Sequence, residues 1–99
     1  MAFRANRASN TAARLEVVRP KKLLRRIQQG QVENVRFRDL EQLLDALGFF
    51  EARVRGSHRW YAHDAARVAL PIQPEGAMAK GYQVRQLLRI IAKYNLTLG

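Results

Sequence analysis

The chain has no cysteine. Disulfides, thiolate metal sites and a thiol nucleophile are therefore excluded, and the absence fits a reducing compartment. No apolar run comes near the ~20 residues that a membrane-spanning helix needs, and the N-terminus lacks a hydrophobic signal-peptide core. The expected location is the cytoplasm, with no membrane partner. Acids are also scarce: 8 Asp and Glu stand against 18 Lys and Arg, a formal net charge of +10 on 99 residues. Such an imbalance favours a polyanionic partner, with nucleic acid ahead of an anionic membrane or an acidic protein.

The opening stretch, MAFRANRASNTAARLEVV, has no acid before Glu16. Its arginines, serine and alanines match the composition of organelle transit peptides, but without sustained apolar periodicity residues 1–18 read as a mobile basic extension. Residues 19–99 are enough for one small domain with one modest core.

From Pro20 the pattern changes. Proline suits a first helical turn, Leu23, Leu24 and Ile27 share one side, and Gly30 stops the helix. In RDLEQLLDALG, Leu40, Leu43, Leu44 and Leu47 recur at i, i+3, i+4 and i+7, a buried stripe. Asp39 is expected to cap this second helix, Gln42 to complete a capping box, and Gly48 to end it. Asp39, Glu41 and Asp45 make its outer face acidic, so positive charge must gather elsewhere.

Three strand candidates follow: residues 49–55, 57–63 and 67–73. The first two are rich in aromatic and β-branched residues and flank a turn at Gly56, while the third alternates Val68, Leu70 and Ile72. Pro71 marks the third as an edge strand. The segment PEGAMAKG reads as a loop into a last helix at about 82–95, where Val84, Leu87, Leu88 and Ile91 form the core stripe. Arg85, Arg89 and Lys93 form a basic stripe on another side. The expected fold class is α+β: a small α-β-β-β-α domain with an extra short N-terminal helix. Its three-stranded antiparallel sheet has helices on one face and the other face open.

Both histidines lie in RVRGSHRWYAH, residues 53–63. A histidine at a hairpin most often bonds a neighbour, and strand alternation puts His58 and His63 on opposite faces. Trp60 and Tyr61 also face opposite ways: one belongs to the core and the other is free to stack on a base. Tyr61 is read as structural, as is His63. Gly56 suits a turn needing positive φ, and Ser57 offers a hydroxyl to a phosphate or to its own backbone.

The element order, with NVRFRDL leading in, Gly-Ser-His at the hairpin, Tyr61 and His63 following, and YQVRQLLRII at the end, resembles the HicA family over about residues 20–97. These are toxins of bacterial type II toxin–antitoxin pairs. The resemblance implies a fold like that of double-stranded-RNA-binding domains, cleavage of mRNA, and a HicB-type antitoxin as partner. It also implies that the histidine of the motif, here His58, is catalytic. The N-terminal extension and the Arg59-Trp60 pair depart from the pattern, and the extension leaves open how the chain meets its partner.

The residues suit that chemistry. Imidazole exchanges protons near neutral pH, and Arg53, Arg55 and Arg59 are expected to offer donors to phosphate oxygens. Lys80, Arg85 and Arg89 are further RNA-binding candidates, Lys80 because it precedes a helix N-terminus. No metal or other cofactor is required. Leaving-group protonation falls to water, to His58 in a second step, or to Lys80. A Ser-His-Asp triad fits poorly because no acid neighbours His58. The competing reading is a non-catalytic module that holds structured RNA by shape and phosphates. A DNA-binding helix-turn-helix fits worse, given the acidic second helix and the strands.

Overall fold

The computed structural model describes residues 19–98; the basic extension expected over 1–18 lies outside them. Helix α1 spans Pro20–Gln28, with Pro20 in its first turn and Leu23 and Ile27 buried. Helix α2 spans Phe37–Leu47. Strands β1 (Phe50–Arg55), β2 (His58–His63) and β3 (Ala66–Ile72) follow. A short ribbon, β4 (Pro74–Glu75) and β5 (Met78–Ala79), then leads to helix α3 (Gly81–Tyr94).

The sheet has the order β1-β2-β3, with both pairs antiparallel, so β3 with Pro71 is an edge strand as its proline requires. Tyr61, Leu70 and Ile72 turn inward from the sheet. They join Leu23 and Ile27 of α1, Leu40, Leu43, Leu44 and Leu47 of α2, and Val84, Leu87, Ile90 and Ile91 of α3 in one core. This is the expected α+β arrangement, with helices on one face. Alternate residues of β2 face the other way and stay partly or fully exposed, while β1 is exposed along its whole length.

Two expectations need correction. PEGAMAKG is not a plain loop: β4 and β5 pair within it. The ribbon docks on the entry to α2, where Phe37 N–H donates to the Ala77 carbonyl (2.9 Å) and Ala79 N–H to the Val35 carbonyl (2.7 Å). Strands of two residues carry no apolar alternation, so nothing local announces them. The capping box of Asp39 and Gln42 does not form either. Helix α2 begins three residues earlier, behind Arg36, which makes no side-chain cap. The Phe37 N–H, one of the first-turn donors without a partner inside the helix, is taken by the Ala77 carbonyl, and burial of Phe37 draws the helix back to include it. Asp39 becomes a buried first-turn acid, favourably placed against the helix dipole. At the other end Gly48 takes the left-handed conformation, and Phe49 N–H reaches back to the Leu44 carbonyl (2.9 Å).

Candidate active site

The β1–β2 turn is two residues long. Arg55 pairs with His58, leaving Gly56 and Ser57 between them, and Gly56 has φ +61°. Glycine in the first central position is what a type II′ hairpin turn asks for. Residues directly opposite in an antiparallel pair share a face. Arg55 therefore stands beside His58 on the open face, and Arg53, paired with Trp60, stands beside Trp60. The His58 and Trp60 rings stack with centroids 5.9 Å apart and planes at 28°. On the same tryptophan the Arg53 guanidinium lies 5.2 Å from the ring centroid. The open face thus carries an exposed imidazole, an aromatic plate and two guanidinium groups.

Arg59 does not join them. Strand alternation turns it to the helix side, where its guanidinium lies 5.8 Å from the Phe37 ring centroid. There its Nη1 donates to Glu41 Oε2 at 2.6 Å, with Glu51 at 3.6 Å as a second acid. A register irregularity between Glu51 and Arg53 lets Glu51 stay on that side while Arg53 and Arg55 take the other. The expectation that Arg59 stands beside His58 as a third donor is corrected by this alternation. Its guanidinium is instead a structural cation, more basic than usual chiefly because of the Glu41 charge.

Tyr61 donates its hydroxyl to the same Glu41 oxygen at 3.0 Å. Burial first, and then the bond to Glu41, push its pKa up from 10 to about 12. The fold holds the phenol in its neutral form. The stability this contributes is complete below pH 10, and it falls as pH rises from 10 towards about 12, because the unfolded chain releases its proton first. Alkaline absorbance titration should show a tyrosine component near pH 12 that Tyr61→Phe removes, and the fall in stability across that window should be smaller in the variant.

His63 also faces the helix side. Its Nε2 lies 2.8 Å from the Leu47 carbonyl, its Nδ1 accepts from Ala65 N–H at 2.9 Å, and its ring meets Phe49 edge-on at 5.0 Å. Only the neutral tautomer with hydrogen on Nε2 satisfies both bonds. This histidine locks the end of α2 to β2.

Sequence reasoning did not single out Gln73. Its side chain donates to Ser57 Oγ (3.2 Å) and accepts from Lys80 Nζ (3.3 Å), while its backbone N–H donates to Oε1 of the buried Gln83 (3.0 Å). Gln73 therefore connects the residue before His58 with the residue before α3. No motif carries this signal, because it arises from the end of β3 passing between the two. The α3 N-terminus, expected to suit a phosphate, is faced by the Glu33 carboxylate, which crowds the position a Cβ on Gly81 would take. Arg85 pairs with Glu33 at 3.6 Å. Arg85 and Arg89 are exposed on α3, and no hydrogen bond or ion pair between described residues joins either to the hairpin. Among the described residues, no group of three or more His, Cys, Asp or Glu is placed to hold a metal ion, and no helix is long and apolar enough to cross a membrane.

Residues 37–92, from the start of α2 into the last turns of α3, match the family model described as the HicA toxin of bacterial toxin–antitoxin. The match contains the whole sheet and the hairpin with His58. No curated protein and no solved structure matches the chain.

Proposed function

The chain belongs to the HicA toxin family of bacterial toxin–antitoxin systems, and from that premise we propose that it is a metal-independent endoribonuclease that cleaves mRNA in the cytoplasm with His58 as its acid–base residue. The observation that carries this reading is the placement of His58. It is exposed at the tip of a hairpin, with Arg55 directly across from it and Trp60 stacked on it.

In this mechanism the His58 imidazole takes the proton from a ribose 2′-hydroxyl. The freed oxygen attacks the neighbouring phosphorus, and the bond to the 5′ oxygen of the next nucleotide breaks. Arg53 and Arg55 stabilise the negative charge that builds on the phosphoryl oxygens, and a base stacks on the Trp60 side of the face. The leaving oxygen takes a proton from water or from Lys80, whose ammonium is linked through Gln73 to Ser57. Arginine is too weak an acid for that step. With one histidine on the face, slow turnover is expected, so release from the antitoxin rather than speed sets the effect. The antitoxin is of the HicB type, and an acidic surface on it would mask the basic face and hasten encounter.

The test is the chemistry of the product ends. RNA incubated with the free protein in EDTA should yield fragments ending in 2′,3′-cyclic phosphate and beginning with 5′-hydroxyl. Fragments carrying 5′-phosphate, or cleavage that stops in EDTA, would refute the scheme. The second reading, a binding module without chemistry, draws on the same aromatic and arginine face, including Phe50 at 50% exposure. It predicts salt-dependent RNA binding and no fragments.

A further inference from the structure

Helix α1 precedes the family match and carries the densest positive charge in the described chain. Its sequence PKKLLRRIQ has four cations and no acid, and Arg19 stands just before it. Burial of Leu23 and Ile27 fixes which side faces out. Arg26 is committed to the fold, since its guanidinium donates to the carbonyls of Glu33 (2.7 Å) and Asn34 (3.2 Å). Arg19, Lys21, Lys22 and Arg25 remain exposed, and no ion pair between described residues involves them.

This arrangement disfavours the isolated helix on two counts. Lys21 and Arg25 repel at i, i+4, and Lys22 repels Arg25 at i, i+3. The cations of the first turn also oppose the positive end of the helix dipole, where no acid offsets them. A surface kept merely soluble would gain from a few acids here. A groove beside Lys21 and Arg25 is lined by Leu24, Leu96 and Leu98, but the large apolar residues exposed in the described chain are Phe50, Val54, Val68 and Tyr82, none of them on α1. Protein interfaces centre on an apolar core, whereas a phosphate backbone asks only for spaced positive charge.

We infer that the outer side of α1, formed by Arg19, Lys21, Lys22 and Arg25, is a second RNA contact that grips the phosphate backbone without reading sequence. The inference rests on the RNA reading above and adds to it a holding surface separate from the reactive hairpin. Long or structured RNA is thereby favoured as substrate over short oligonucleotides.

The test compares the full-length protein with Lys21→Gln/Lys22→Gln/Arg25→Gln. Both are titrated with a 2′-O-methyl RNA hairpin, which cannot be cleaved through its 2′ positions, over a range of salt. The variant is expected to bind about 10- to 100-fold more weakly at low salt, with the slope of log affinity against log salt shallower by about 2 to 3. Its Tm should hold or rise, because like-charge repulsion is relieved. An unchanged slope with RNA binding intact overturns this inference and leaves the nuclease reading standing. Absence of salt-dependent RNA binding by both proteins overturns the RNA reading and this inference together. If affinity for polyglutamate falls more than affinity for the RNA hairpin, α1 is a contact for an acidic protein and the inference is overturned.

Discussion

Gly48→Ala is expected to destabilise the fold by about 2–4 kcal/mol, a loss that denaturant or thermal unfolding will read directly. Gly48 has φ +99°, where a side chain costs roughly 1–2 kcal/mol. In addition, its Cβ would stand 2.9 Å from His63 Nε2. That ring cannot simply swing away, because the Leu47 carbonyl, Ala65 N–H and Phe49 all hold it. Displacing it unlatches α2 from β2 and leaves a half-buried imidazole short of its partners. For a domain of this size the shift corresponds to a fall in Tm of roughly 10–25 °C. Gly56→Ala is the control: its φ of +61° imposes the backbone strain, but a Cβ there meets nothing within 4 Å, so the loss should be about half as large.

How far the sequence announces this molecule depends on which interactions are periodic. The leucines of α2 recur with a helical period and are buried as that period demands. Alternation in β2 likewise separates His58 from His63 and puts Tyr61 in the core while Trp60 stays on the open side. The same alternation groups Arg59 with Tyr61, so its turning away from His58 was legible from parity. What parity could not show is Glu41 reaching from α2 to hold both side chains. Non-periodic features stayed hidden. The β4–β5 ribbon is fixed by backbone bonds to residues 35–37, far away along the chain. Gln73 acquires its position only because the end of β3 runs between the turn and α3. The positive charge of α1 was visible as composition, but which of its cations face outward needed the packing of Leu23 and Ile27.

His58→Ala is expected to lower the cleavage rate by about 10²- to 10⁴-fold, the range typical of removing a positioned general acid or base. RNA affinity should change little, since Arg53, Arg55 and the cations of α1 remain. Stability should change little as well. His58 is exposed, its contact in the fold is stacking on Trp60, and surface substitutions of this kind stay within about 0.5 kcal/mol. A large kinetic loss without a stability loss is the signature that separates a catalytic imidazole from one that merely packs. The contrast with Gly48→Ala is direct, because there the stability changes and the reactive face is untouched.

The decisive measurement is therefore a paired one. Wild type and His58→Ala, both shown to be folded by circular dichroism and thermal unfolding, are incubated with the same RNA in EDTA, and fragments are followed in time. Fragments are expected from wild type, and from the variant at a rate at least about 100-fold lower. Equal cleavage by the two proteins would contradict this, and so would binding of RNA by both with cleavage by neither.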